Sequence, residues 1–308
     1  MNYRHTVRLL GVLLLIAFVG VPAIAQDTST LRIASYNVEN AFDVYDDPYT
    51  NDEGTDVKLR WEVEMIADVL KKLDADVVGF QEVENEAVLK AIVSEYLPGM
   101  GYEYAAVPLT NDTRGIKLGI ISRLPVISIT SYRWQTLTHP DTDQTWQFAR
   151  DLFHAKLQTS TGEVLHVFVV HLKSKGSRDG DPQSVKWRTS EAMRIRQIIG
   201  DMIANNPNEL VVLMGDFNSM PDQPGTTTLL SPAADGSAVM SDCHASIPMD
   251  DRTTYPSERF PNSVIDFILT SPAMTARLVP GSAVVFKDPE LTKGSDHLPV
   301  MAEFDMGE

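Results

Sequence analysis

Two things are scarce in this chain. It carries one cysteine, Cys243, in 308 residues, so no internal disulfide can brace it and stability must come from a packed core. The residues around Cys243 show no activating pattern, which speaks against a catalytic thiol. Positive charge is also short: 26 Lys and Arg stand against 42 Asp and Glu, a formal charge of −16. Such a surface repels polyanions, so a nucleic acid or lipid substrate requires local basic residues or divalent ions where it touches. Long apolar runs are absent outside the N-terminus.

That one run is informative. Arg4, His5 and Arg8 precede apolar residues 9–21, and Ala23-Ile24-Ala25 fits a small-x-small cleavage site. The run is shorter than the roughly 20 residues of a membrane span, and no Cys stands at the cleavage point to carry a lipid. Residues 1–25 therefore read as an export signal, with 26–308 as a single domain in a secreted or periplasmic protein. Losing Arg4 and Arg8 with the signal takes the charge of −16 to −18. Stable membrane insertion is not expected, and no obligate protein partner is evident.

Along the rest of the chain one pattern recurs: an apolar, strand-like run ends abruptly in polar residues. Residues 211–215, Val-Val-Leu-Met-Gly, deliver Asp216 and Asn218, and period-2 alternation places those two on one side. Taken alone, Asp-x-Asn fits a turn as well as a site. Residues 31–36 end at Asn37, and 76–80 end at Glu82, which also suits a cap for a helix over 86–97. Residues 163–170 end at His171, followed by a basic loop with Lys173, Lys175 and Arg178. Arg114 precedes a strand over 118–122, and both it and Lys173 are candidate phosphate ligands.

Other stretches read as structure. Helices are expected over 58–73 and 184–204, the latter with Arg188 on its apolar stripe and so partly buried and paired. Paired strands are expected over 125–134 and 146–158, with Arg150-Asp151 as a surface ion pair, while 221–256 reads as long loops. His139, His154 and His166 lack a strand-end setting and read as structural. The acidic loop 43–56 matches no calcium-loop spacing and reads as solvated. Asp266 sits inside the apolar strand-like run 263–270; an ionised carboxylate there costs several kcal/mol unless paired. His297, after Asp296 and before the last strand, is the natural partner.

Asn37, Glu82, His171, Asp216, Asn218, Asp266, Asp296 and His297 together combine carboxylates, imidazoles and amides without a catalytic Ser or Cys. That set describes metal-assisted hydrolysis, with phosphate as the centre.

The same residues carry a resemblance. Tyr36-Asn37-Val38-Glu39-Asn40, Gln81-Glu82-Val83-Glu84, Val170-His171-Leu172-Lys173-Ser174, Gly215-Asp216-Phe217-Asn218-Ser219, Ile265-Asp266-Phe267-Ile268 and Ser295-Asp296-His297-Leu298-Pro299 resemble, in order, the motifs of the endonuclease/exonuclease/phosphatase superfamily. This group contains deoxyribonuclease I, exonuclease III, inositol polyphosphate 5-phosphatases and neutral sphingomyelinases. The Asn-Val-Glu-Asn opening, Arg114-Gly115 and Arg150-Asp151 further resemble exported bacterial members generally labelled nucleases. His171 in place of Tyr is similar to the deoxyribonuclease-like and phosphatase-like branches rather than the abasic-site repair branch.

The resemblance implies an α+β fold: a four-layer α/β/β/α sandwich of two packed mixed β-sheets, with the site at one sheet edge. It implies that Glu82 with Asn37 holds Mg²⁺ or Mn²⁺, with Ca²⁺ as a further candidate, and that Asp296 contributes to the same or a second metal position. Asp216 and Asn218 would orient water and contact the phosphate. His297, held by Asp266, would be general base or phosphate ligand, and His171 would donate near the phosphate. The activity implied is a divalent-metal-dependent phosphodiesterase acting on DNA or RNA. The competing readings are a phosphatase or phospholipase-like hydrolase of phosphoinositides, sphingomyelin or other small phosphoesters, and a non-enzymatic binding scaffold.

Overall fold

The computed structural model describes residues 29–176 and 180–307. The expected export signal and Arg178 lie outside them. Two six-stranded sheets dominate. The first runs β13 (Val284–Val285), β14 (Val300–Asp305), β1 (Thr30–Ala41), β2 (Val77–Val83), β4 (Lys117–Ser122), β3 (Tyr104–Ala106). The second runs β11 (Ser241–Asp242), β12 (Asp266–Thr270), β10 (Leu210–Asp216), β9 (Val164–His171), β8 (Leu152–Gln158), β5 (Val126–Ser131). Both are mixed: β1–β2 and β9–β10 are parallel, while β1–β14, β10–β12 and β8–β9 are antiparallel. A two-stranded ribbon joins β6 (Leu137–Thr138) to β7 (Thr145–Trp146).

Burial on both faces explains why the central strands read as unbroken apolar runs. In β10 all seven residues are buried, as are seven of the eight in β9. Ile33, Val77 and Ile120 of the first sheet meet Val167, Val212 and Met214 of the second in one core. The outer face of the first sheet packs on α1 (Arg60–Leu73) and α2 (Glu86–Tyr96) through Ile66, Leu70 and Leu89. The outer face of the second packs on α3 (Val185–Asn205) and α4 (Pro224–Leu230) through Ala192, Ile195 and Leu229. A four-residue α5 (Pro272–Thr275) follows β12. Each fully buried Leu, Ile, Val or Phe contributes about 1.5–3 kcal/mol, so the core stands in for the missing disulfides.

Glycine matters where strands crowd. Gly215, at φ 143°, lies so close to β9 that a Cβ there would sit 1.9 Å from the Val170 carbonyl oxygen. Between the sheets, a Cβ on Gly79 would sit 2.5 Å from Met214 Cε.

Several expectations change. Asp266 is the first residue of β12, not its middle, because the preceding residues turn away to follow Thr254. The stretch 146–158 splits into the end of β7, a turn and β8, and the loop region 221–256 contains α4. Arg150 and Asp151 are both buried and face different partners: Arg150 Nη1 donates to the Leu172 carbonyl at 3.0 Å, and Asp151 Oδ1 accepts the Tyr132 amide at 2.8 Å. Glu82 does not cap α2; Asn85 does, accepting the Val88 amide at 3.0 Å. Within the acidic loop Asp52 is buried and accepts the Asp47 amide.

Candidate active site

Three adjacent strands of the second sheet end in register. His171 pairs with Asp216, and Asp216 with Asp266, so three titratable side chains line up across one sheet edge. Past Asp216 the chain turns at once. Asn218 adopts φ 48°, its amide donating to Asp216 Oδ1 at 2.7 Å and its Nδ2 to the Leu172 carbonyl at 3.2 Å. Asn218 Nδ2 also lies 3.3 Å from Asp216 Oδ2. The two do converge, through a tight turn rather than strand alternation.

The first sheet supplies the opposite wall. After Asn37 the register between β1 and β2 breaks and resumes at Ala41–Val83. Glu39, Asn40 and Glu82 take positive φ there, a conformation costly for L residues and typical of sites held by their surroundings. Glu82 Oε2 accepts the Asn40 amide at 3.1 Å, and Oε1 lies 3.3 Å from Asn37 Nδ2. Asn37 then bridges the sheets, with Nδ2 3.2 Å from Asp216 Oδ2 and 3.4 Å from His297 Nε2. Its oxygen accepts the Glu39 amide at 3.0 Å. Asn37 therefore presents its amide nitrogen, so an oxygen ligand from it requires the amide to be turned over.

His297 is held from three sides. Its main-chain amide donates to Ser295 Oγ, which donates to the Asn37 carbonyl. Its Nδ1 stands 2.8 Å from Asp266 Oδ2, and the Tyr255 ring centroid is 5.0 Å away. This pairing answers the charge problem posed by Asp266. Its Nε2 faces Asp216 Oδ2 at 3.8 Å and Asp296 Oδ1 at 3.9 Å.

Proton affinities separate the two imidazoles. Burial works against charge on His297, but Asp266, by attraction and hydrogen bond, then Asp216 and Asp296, outweigh it and push its pKa up to about 10. His171 is driven well below the ordinary value by burial, reinforced by Arg150, His297 and the basic side chains nearby. Its Nε2 lies 3.3 Å from Asp216 Oδ2 and 3.9 Å from Glu82 Oε1. Asp216 is pushed up to about 7, chiefly by burial and against the pull of His297, and Asp296 to about 6, again by burial. Four groups in contact thus span the neutral range, the pattern expected where protons are exchanged.

Ligand atoms of Asp216, Asp266 and His297 fall within 4.8 Å of one another. Asp266 and His297, however, already satisfy each other at 2.8 Å. Glu82 and Asp296 are the more exposed carboxylates beside Asp216, and carboxylate oxygens suit a hard divalent ion.

The cationic flank is close by. Arg114, its side chain 46% exposed, lines a cleft of about 440 Å³ with Glu39, Asn40 and Lys58. Lys173 lies two residues past His171, its Nζ 5.8 Å from the Trp187 ring centroid. Lys58 and Glu39 were not singled out from sequence. Lys58 Nζ donates to the Glu39 carbonyl at 2.8 Å, and Glu39 Oε2 accepts the Asp296 amide at 3.0 Å. Glu39 lay within the Asn-Val-Glu-Asn motif and was legible there; Lys58 gave no signal beyond helix entry. Cys243 is buried, its thiol pushed up to about 12 by burial, and takes no part.

A family model described as endonuclease/exonuclease/phosphatase matches residues 32–297. The chain belongs to that family. Its members are hydrolases of phosphoesters, nucleases and phosphatases among them. No curated protein matches the chain. Among solved structures it is similar to an endonuclease/exonuclease/phosphatase family protein from Bacteroides thetaiotaomicron, at 22% identity and TM-score 0.61, covering 89% of this chain and 94% of that one. It is also similar to the human Nocturnin catalytic domain with bound sulfate, at 16% identity and TM-score 0.60, covering 90% and 94%. A third likeness is to D. rerio TDP2 complexed with a single-strand DNA product, at 19% identity and TM-score 0.59, covering 90% and 99%. At these identities the likeness concerns the fold: the four-layer α/β/β/α sandwich is the family's. No helix among the described residues is long and apolar enough to cross a membrane.

Proposed function

We propose that this family member is an exported, divalent-metal-dependent phosphodiesterase that hydrolyses nucleic acid. The observation that carries the reading is the meeting of two sheets at one point, where Asn37 Nδ2 reaches Asp216 Oδ2 at 3.2 Å with Glu82, His171 and the His297–Asp266 pair around it. Glu82 would hold Mg²⁺ or Mn²⁺, with Asp296 on the rim. A divalent ion bound there supplies Lewis-acid stabilisation of charge developing on phosphate oxygens.

The chain's own groups divide the remaining work. Asp216, with a proton affinity near neutral, serves as acceptor for the proton of an attacking water that Asn218 helps align. His297 is kept protonated by Asp266 and faces the phosphate as a cation, not as a base. His171 is neutral, and its Nε2 holds Asp216 in place. Arg114 and Lys173 attract the phosphates that flank the scissile one. Support for a nucleic-acid substrate comes from the structural similarity to a TDP2 complexed with single-strand DNA product, and support for export from the signal-like residues 1–25.

The test is cleavage of plasmid DNA and of RNA with Mg²⁺ or Mn²⁺ by the wild type, Glu82→Ala and His297→Ala. Equal rates in all three would sink the proposal. A second reading has one observation in its favour: the formal charge of −16 opposes a polyanion and suits small phosphoesters. Phosphate release from a panel of phosphomonoesters, phosphoinositides and sphingomyelin, with nucleic acid left intact, would replace the first reading by this one.

A further inference from the structure

The loop that leaves His171 is held with unusual completeness. Its next two residues have four main-chain polar groups, and each has a partner. The Leu172 amide donates to the Asp216 carbonyl at 3.0 Å. The Leu172 carbonyl receives Arg150 Nη1 at 3.0 Å and Asn218 Nδ2 at 3.2 Å. The Lys173 amide donates to Glu191 Oε2 at 2.7 Å, and the Lys173 carbonyl receives Arg188 Nη1 at 2.8 Å. Glu191 Oε1 also accepts the Ala149 amide, next to Arg150, at 2.8 Å. One carboxylate therefore joins the approach to Arg150 to the segment bearing Lys173.

Glu191 and Arg188 stand three apart on α3, on the face against the second sheet, and are 1% and 3% exposed. Each loses solvation there, which pushes the Glu191 carboxyl up to about 7 and lowers the Arg188 guanidinium. Two amide donors do not require a buried carboxylate, and one carbonyl does not require a buried guanidinium; neutral side chains would serve at lower cost. Charge there has a different use: it makes the hydrogen bonds short and strong, and so fixes backbone beside the site more rigidly than a neutral pair would.

We infer that Glu191 and Arg188 are positioning residues for the phosphate-binding half of the active site: they fix the segment that bears Lys173, and Glu191 ties it to the chain leading into the buried Arg150, without touching substrate. This rests on the functional reading above. It also makes an asymmetric claim. The two residues lie behind the second sheet, whereas Glu82 and Asn37 belong to the first, so their removal should damage phosphate binding and spare metal binding.

The experiment compares wild type, Glu191→Gln, Arg188→Met and Arg188→Lys in three measurements: Mn²⁺ binding by calorimetry, competitive inhibition by inorganic phosphate, and steady-state cleavage of a diester. Glu191→Gln keeps the volume but only one acceptor. It and Arg188→Met are expected to weaken phosphate inhibition and raise KM by about 10- to 100-fold, the range seen for groups that support a ligand from behind. Mn²⁺ affinity should stay within about twofold, and Arg188→Lys should restore most of the phosphate effect. Unchanged phosphate inhibition in Glu191→Gln and Arg188→Met would overturn the inference. So would a parallel loss of Mn²⁺ binding, which marks a general structural defect, and so would a wild type that does not bind phosphate. A wild type that binds phosphate but cleaves nothing would defeat the catalytic reading alone, and the phosphate comparison would still decide this one.

Discussion

Asp266 Oδ2 lies 2.8 Å from His297 Nδ1, joining the first residue of β12 in the second sheet to the loop that leads into β14 of the first. The contact holds the imidazole and keeps its proton, against a burial that alone would remove it. Asp266→Asn is therefore expected to bring the His297 pKa down from about 10, followed by an NMR pH titration of the ring. Diester cleavage should fall by roughly 100-fold. An unaltered titration in the variant would refute the pairing as the cause.

Metal and proton functions should separate by mutation. Glu82→Gln removes a charged oxygen donor from the first-sheet wall and is expected to abolish measurable Mn²⁺ binding in calorimetry. His297→Gln should bind Mn²⁺ within a few-fold of wild type while losing roughly 100-fold or more in cleavage. Loss of binding in both variants would place His297 among the ligands instead.

Gly215 precedes Asp216 at φ 143°, against the Val170 carbonyl. Gly215→Ala forces apart β9 and β10 where they carry His171 and Asp216. A loss of roughly 3 kcal/mol or more is expected in urea unfolding. A variant with wild-type stability would show that the two strands can separate without cost.

The outer face of the second sheet contains an acid-sensitive pair. His154 stacks on Phe168 at 4.0 Å between ring centroids, and its Nε2 lies 3.0 Å from His166 Nδ1. Burial, then the neighbouring His166, lowers the His154 pKa to about 3. The folded state therefore keeps this ring neutral while the unfolded chain protonates near pH 6.5. Stability from this site is full above about pH 6.5 and is lost as pH falls toward the folded value, at up to about 1.4 kcal/mol per pH unit. His154→Phe should flatten the urea midpoint between pH 6.5 and 4.5 relative to wild type. Parallel pH profiles would assign the acid sensitivity elsewhere.

How much of this was written in the sequence depends on which forces acted locally. Asp216, His171 and Glu82 were legible because each follows an apolar run, and a doubly buried strand must stop where polar groups begin. Asp266 announced a partner because a buried charge needs one, and His297 stood nearest the family motif. The start of β12 was misread because Val264 and Ile265 are apolar without being strand; they are buried by the Thr254 turn instead. The buried position of Arg188 was legible because it falls on the apolar stripe of α3, whereas those of Arg150 and Glu191 were not, since a charged side chain off such a stripe carries no local mark of what lies behind it. The orientation of the Asn37 amide likewise depends on the Glu39 amide and on a second sheet 179 residues away in the chain.

The contact of Gly79 with Met214 bears on more than packing. Gly79 stands three residues before Glu82, Met214 two before Asp216, and a methionine methyl fills the space that a side chain at 79 would need. The separation between the wall that carries Glu82 and the wall that carries Asp216 is thus set by the thickness of a hydrocarbon layer, which the Asn37 Nδ2–Asp216 Oδ2 contact spans at its edge. Methionine is the most deformable of the large apolar side chains. Hydrostatic pressure, which acts on internal voids, would therefore tune the reach between Glu82 and Asp216 before it unfolded either sheet, and turnover would register the change ahead of any optical probe of unfolding.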